Sequence, residues 1–299
     1  MDWVTLAILS AATMGAVSIT EKVIVATQVR EVRTFYLVLA FLLLPIITAL
    51  LFSQPNLIEI SRGSALLAIT GGVVHGSGLM LVWRVLRTGE VSRVIPVTTT
   101  FPIFVAILAA LFFDENIGIV KWLAIVIMVA GAILLSAQQA PGGRVFISRS
   151  FALLILASMS FAVSQTLSKQ VLEETHRVVA LSFSLGGVSI ALFTVSARRP
   201  FLREGLAIVR KPIALSWFLA NAIGAVTGNF LMFSAFQAGS VSLASTLVST
   251  RPLFIFIYAV ILSRFVPKII KEPLSFGILC TKLLAIAMIV GGGSQIITR

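Results

Sequence analysis

The 299-residue chain is 58% hydrophobic and only 11% charged, with a mean hydropathy of +1.06, whereas soluble globular chains carry roughly 25% charged residues. That composition excludes a soluble domain, and the single cysteine, Cys280, excludes an internal disulfide. The net charge of +12 sits mostly in loops between apolar runs, which argues for basic segments held against an anionic leaflet and against nucleic-acid binding.

A hydrocarbon core about 30 Å thick takes about 20 apolar residues per helix. In chain order the apolar runs predict ten spans, at 3–24, 34–52, 64–86, 91–113, 117–137, 150–172, 178–197, 213–236, 240–263 and 275–297. The expected fold class is therefore an all-α membrane protein of ten transmembrane helices. The connections are short and leave no separate soluble domain. Asp2 and Trp3 open the first run without the basic start and small-residue cleavage site of a secretory signal, so 1–24 reads as a retained helix.

The polar segment Gln138-Gln139-Ala140-Pro141-Gly142-Gly143-Arg144 divides the chain, and the two sides repeat one another. Gly89-Glu90-Val91-Ser92 leads to Phe101-Pro102-Ile103-Phe104, and at the same spacing Gly239-Ser240-Val241-Ser242 leads to Arg251-Pro252-Leu253-Phe254. Ala16-Val17-Ser18-Ile19-Thr20 matches Ala162-Val163-Ser164-Gln165-Thr166, and Met128-Val129-Ala130-Gly131 resembles Met288-Ile289-Val290-Gly291. The expected units are 1–137 (spans one to five), a connection at 138–149, and 150–299 (spans six to ten). Internal repeats of this kind mark transporters.

Five spans per repeat is an odd number, so the second copy must enter the membrane inverted. The charges agree. In the first half the loops after spans one and three carry Lys22, Arg30, Arg33, Arg84, Arg87 and Arg93, against Arg62 and Lys121 after spans two and four. In the second half the bias reverses: Arg198, Arg199, Arg203, Arg210, Lys211, Arg264, Lys268 and Lys271 follow spans seven and nine, against Lys169 and Arg177. The positive-inside rule places the richer face in the cytoplasm and both termini outside. Trp3, Trp83, Trp122 and Trp217 all fall near span ends, as an interfacial belt requires.

Ten spans in two five-helix repeats, with the G-x-V-S to P-x-F pattern in spans four and nine and Phe112-Phe113-Asp114-Glu115 closing span four, resemble the drug/metabolite transporter superfamily, EamA-like branch. After span nine, Arg264-Phe265-Val266-Pro267 replaces the acidic closure and Glu272 comes only after an insertion. The resemblance implies alternating access between inverted bundles, moving a small metabolite or drug, often outward. It implies a bacterial or archaeal inner membrane. No cofactor and no metal site is expected; the expected partners are a small-molecule substrate, the lipid bilayer and a coupling proton or counter-substrate.

Ionisable groups within a bilayer cost about 2.5–3.5 kcal/mol each at mid-helix and need a partner or a function. Arg251, near the middle of span nine, precedes Pro252, which cannot donate to the carbonyl of Val248. It reads either as a bidentate clamp for a carboxylate or phosphate or as a structural ion pair. His75, between Gly71 and Gly78 on one face of span three, either touches substrate or a proton or is a hydrogen-bonded neutral imidazole. Asn221 and Asn229 lie on a small-residue stripe of span eight with Gly224 and Gly228, and Gln165 lies in span six. Each can bind a polar substrate or join helices. Small relatives use a glutamate in the first helix, which makes Glu21 the candidate for proton coupling; beside Lys22 it also reads as an interfacial pair. Glu115 reads as an end-cap.

With Arg251 and His75 deep and no comparably deep carboxylate, the sequence predicts a positive cavity suited to anionic or zwitterionic substrates. The leading function is secondary transport of a small polar metabolite such as an amino acid or organic acid. The alternatives are a drug or cation exporter of the same superfamily and a non-transporting accessory subunit. An intramembrane enzyme is disfavoured, because His75 and Ser77 are two apart on one helix and point to different sides. No nucleotide-binding motif occurs.

Overall fold

The computed structural model describes residues 2–53, 60–88, 98–115, 117–137, 149–263 and 276–297, and all regular structure among them is α-helix. In chain order the described helices are α1 (Trp3–Thr27), α2 (Val32–Phe52), α3 (Arg62–Thr88), α4 (Phe101–Phe112), α5 (Ile119–Ala137) and α6 (Arg149–Glu174). They continue as α7 (Arg177–Ser196), α8 (Arg199–Val209), α9 (Pro212–Ala238), α10 (Val241–Val248), α11 (Arg251–Ser263) and α12 (Phe276–Ile297). The Gly89–Ser92 motif, the connecting segment 138–148 and the insertion within 264–275 lie outside the described residues, as does the side chain of Lys282.

Among the described residues, seven helical stretches are long and apolar enough to cross a membrane: Trp3–Val25, Val32–Phe52, Arg62–Val85, Ala152–Glu174, Arg177–Ser196, Pro212–Ala238 and Val241–Ala259. Shorter apolar helices at Phe101–Phe112, Ile119–Leu134 and Leu283–Gly293 lie where spans four, five and ten are expected. The Asp2 carboxylate starts α1 by accepting from the Thr5 amide at 2.8 Å, satisfying one of the donors that every helix leaves open at its start.

Span nine is broken in the middle. α10 ends at Val248, Ser249 and Thr250 form a turn, and α11 begins at Arg251. Pro252 accounts for the break by removing the donor for Val248. The hydroxyls of Ser249 and Thr250 donate to the carbonyls of Thr246 (2.6 Å) and Leu247 (2.7 Å) at the interruption. Thr99 and Thr100 form the same turn before Phe101-Pro102, at the matching place in the first half.

Helix pairing runs across the chain. α3 packs on α6 and α7, α1 on α9, α2 on α7, and α5 on α12. The tightest seam is α3–α7, where a Cβ on Gly72 would collide with the Ser184 carbonyl and one on Gly187 with that of Ile69. Lipid tails are as apolar as leucine, so close backbone approach supplies the attraction that water supplies elsewhere. A large core cluster runs through α4, α5, α6, α9, α10 and α12, and a second joins Ile24, Phe35, Tyr36, Leu192 and Phe218. Leu66, Leu111, Ile119, Ile213, Ile223 and Val290 point outward, as lipid-facing positions do.

α8 was not among the expected elements. At 11 residues it is about 16 Å long, too short to span, so the search for long apolar runs reads it as loop.

Candidate functional site

The break in span nine places Arg251 on the first turn of α11, facing α1. Its Nε donates to Ser18 Oγ at 2.7 Å, and the Ser18 hydroxyl in turn donates to the Met14 carbonyl at 3.1 Å. Glu21, three residues beyond Ser18 and therefore on the same face of α1, brings its carboxylate to 3.7 Å from the Arg251 guanidinium. That contact is loose. A charge-assisted pair is ordinarily near 2.7–2.9 Å and often bidentate, so part of the guanidinium fork is left for another partner.

The seam that sets this geometry is close. A Cβ on Gly15 would meet Phe254, and the Tyr258 hydroxyl donates to the Ala12 carbonyl at 3.2 Å. α11 is thus fixed against α1 one and two turns away from Arg251. Arg251 on α11 faces Ser18 and Glu21 on α1. The Arg251 side chain is 36% accessible, against 21% for Glu21.

The other expected site residues are engaged differently. His75 is half-buried, its ring 5.1 Å from that of Phe161 on α6. Asn221 is buried, and its Nδ2 donates to Thr20 Oγ1 at 2.9 Å and the Val17 carbonyl at 3.4 Å, tying α9 to α1. Its Oδ1 has no partner. Asn229 Nδ2 donates to Ala225 within its own helix. Gln165 is buried and accepts from Ser245 at 2.6 Å, joining α6 to α10. Arg251 and Glu21 therefore come together with Ser18, His75 packs against Phe161, and Asn221 and Gln165 join helices.

The sequence-based expectation of a positive cavity needs correction in one respect. It placed Glu21 at the interface beside Lys22; the structure turns Glu21 to Arg251 and leaves Lys22 exposed. The two charges balance when both groups are ionised. Nothing local in sequence links residues on the first and ninth spans. The spacing of Ser18 and Glu21 on one helical face was the available signal.

One end of the bundle is stitched by polar bonds between helices. Glu115 accepts from the Val241 amide at 2.9 Å, from Ser240 Oγ at 2.6 Å and from Ser242 Oγ, anchoring the start of α10. Lys169 Nζ donates to the Phe236 and Gly239 carbonyls at 2.8 and 3.2 Å, at the end of α9. An anion at a helix start and a cation at a helix end both complement the helix dipole. Ser64 Oγ donates to Glu174 at 2.6 Å on the same end. Glu115 was expected to close span four; its carboxylate instead anchors the start of α10 in the other half.

An apolar groove of about 360 Å³ between α5 and α12, lined by Val120, Leu123, Ile127 and Met288 among others, contains none of these residues. Among the described residues no group of His, Cys, Asp or Glu is arranged to hold a metal ion.

The family model described as the EamA-like transporter family matches residues 1–137 and 149–291. The chain belongs to the EamA-like transporter family. A Sinorhizobium protein named as an uncharacterized transporter in the cobO 3' region is 29% identical over 140 residues, which are 45% of this chain and 96% of that protein. A solved crystal structure superposes with a TM-score of 0.72 over 99% of this chain and 95% of its own, at 15% identity; that likeness concerns the fold alone. As an EamA-like transporter, the protein is an integral multi-pass membrane protein of the drug/metabolite transporter superfamily, with a small-molecule substrate.

Proposed function

We propose that this EamA-like protein is a secondary active transporter of a small polar metabolite, zwitterionic or anionic, such as an amino acid or organic acid. It works by alternating access between two inverted five-helix repeats, 1–137 and 150–299, joined by 138–149. The observation that carries the reading is Arg251, partly accessible, held by Ser18 and only loosely engaged by Glu21. A substrate carboxylate takes the open part of the guanidinium fork. Glu21 then faces either a substrate ammonium or a coupling proton, since a second anion alone would leave it unpaired at a depth where charge is costly. His75 and Asn229 are further candidate substrate contacts, and Asn221 and Gln165 hold the surrounding helices together. Export is the direction the family resemblance favours.

The inverted-repeat reading is supported by the pairing pattern. Exchanging span one with six and span three with eight turns the α1–α9 pair into α6–α3, and both pairs are present. The shared turn before Pro102 and Pro252 supports it further. The bonds around Glu115, Lys169 and Glu174 fit a closed gate on the side opposite the Arg-rich loops.

The test is a thermal-stability screen of the purified protein against amino acids, organic acids, phosphate esters and quaternary ammonium drugs, run beside Arg251→Ala. A ligand of the native state raises stability by mass action. The expected result is stabilisation by a carboxylate-bearing compound that disappears in a still-folded R251A protein. Glu21 gives the exporter of cationic drugs a physical basis as the second reading; stabilisation by quaternary cations, lost in Glu21→Gln and kept in R251A, would establish that reading instead.

A further inference from the structure

The helix that the apolar pattern missed, α8, has three distinct faces. At 100° per residue, Gly205 and Ile208 fall on one side, and both are buried. They seat on α2, where Gly205 approaches Val38 so closely that an added Cβ would lie 3.3 Å from its side chain. The adjoining side carries Leu206 and Val209, 62% and 41% exposed, with Ile213 at 72% just beyond. Next round the helix come Arg199, Arg203 and Arg210, spaced i, i+4 and i+11 on a single stripe, and all three are exposed. Arg198 and Lys211, exposed at the two ends, extend the same charge.

Glu204 points away from that stripe and is already engaged. It accepts from the Arg30 amide at 2.8 Å and from Thr34 Oγ1 at 2.7 Å, which bolts α8 to the turn between α1 and α2. Arg33, exposed beside it, lies with its guanidinium 5.8 Å from the Phe201 ring centroid. α8 follows the end of α7 and precedes the start of α9, so it lies at one face of the bundle. A short helix there, with an inward stripe, an outward apolar stripe and a cationic stripe beside it, has the composition of a helix lying in the plane of a membrane interface.

We propose that α8 is a seat for anionic phospholipid headgroups: Leu206, Val209 and Ile213 enter the acyl boundary while Arg199, Arg203 and Arg210 bind headgroup phosphates above them. The fit rests on charge complementarity, since the one carboxylate on α8 is turned away and committed to the α1–α2 turn. Arginine suits phosphate because its planar fork can engage two oxygens at once. Neighbouring apolar side chains select a phosphate attached to a lipid over a free one. The inference is independent of what Arg251 binds, and the Glu204 tether ties the seat to the α1–α2 turn and the start of α2.

The experiment uses the full-length protein in neutral detergent with three probes: phosphatidylglycerol, phosphatidylcholine of the same acyl chains, and inorganic phosphate. Melting temperature and the lipids retained in native mass spectrometry are read for the parent, for R199Q/R203Q/R210Q, and for R62Q, whose exposed cation starts α3 on the opposite face. Phosphatidylglycerol is expected to raise the melting temperature and to be retained by the parent and R62Q, with both effects lost in the triple variant. Equal effects of the two lipids, an equal effect of inorganic phosphate, or retention by the triple variant would each overturn the proposal. If the triple variant does not fold, the parent is measured in 1 M salt, where charges are screened beyond about 3 Å. The advantage of phosphatidylglycerol should then vanish, and its persistence would count against the seat.

Discussion

At the scale of single residues, the site rests on a division of labour around Arg251. Ser18 takes Nε, Glu21 stands off at 3.7 Å, and the rest of the fork is open. Replacing Arg251 by lysine keeps the charge and discards the planar fork. Hydrogen bonds to charged groups contribute about 1.5–3 kcal/mol, so Arg251→Lys is expected to weaken binding of a carboxylate ligand roughly tenfold or more, as read by the ligand concentration needed for half-maximal thermal shift. Arg251→Ala should abolish the shift. Glu21→Gln tests the other half of the pair. It removes the charge that opposes a second anion and attracts an ammonium, so selectivity should move from zwitterions towards simple anions. Unchanged selectivity in E21Q would remove Glu21 from substrate recognition. Asn221 belongs to a different class, because both contacts of its Nδ2 go to α1. Asn221→Ala should lower the melting temperature and leave ligand preference as it was.

At the scale of elements, the helix breaks and seams were legible in unequal measure. Pro252 announced the interruption of span nine, because a residue without an N–H leaves a carbonyl unpaired wherever it sits in a helix. The Arg251–Glu21 pair was not legible, since its partners lie in opposite halves and helical periodicity relates only near neighbours. His75 was placed between Gly71 and Gly78, and those glycines do face α6, near Leu167 and Phe161. The closest seam instead uses Gly72, and only the three-dimensional pairing of α3 with α7 reveals it. A methyl group at Gly72 has the Ser184 carbonyl in its way, and backbone can yield only by moving a helix. Overpacking costs of about 1–3 kcal/mol are usual, so Gly72→Ala should depress the melting temperature clearly. Gly186→Ala is the control, with no atom within 4 Å of the added Cβ. The junction between α9 and α10 offers a second test. Glu115 satisfies the Val241 amide and two serine hydroxyls, and stranding such donors costs roughly 1–3 kcal/mol. Glu115→Ala should destabilise the protein and raise hydrogen exchange at Val241–Leu243 ahead of the rest of α10.

At the scale of the whole molecule, each of the most extensive pairings (α3 with α7 and α6, α1 with α9, α5 with α12, α2 with α7) joins a helix before residue 138 to one after residue 148. The family model matches the chain in two segments, 1–137 and 149–291, and the packing does not divide between them. Each half alone would expose to lipid the faces that carry Gly72, Gly187, Ser10 and Asn221. Ser10 donates to the Gly228 carbonyl and Ser64 to Glu174 across that boundary, and polar groups stranded in hydrocarbon are costly. A relative of which 140 residues form 96% of the length is about the size of one half. By the same reasoning, such a chain needs a second copy or a partner to cover these faces. Cutting the present chain between residues 137 and 149 should therefore be tolerated, provided both pieces are made together. Co-expressed 1–137 and 149–299 fragments, with a tag on one only, are expected to co-purify as one complex with ligand-induced stabilisation close to that of the intact chain. Each fragment made alone should aggregate or be degraded. If either piece were stable, monomeric and monodisperse by itself, the cross-half seams would not be what holds this fold together, and the two repeats would have to be regarded as domains that dock.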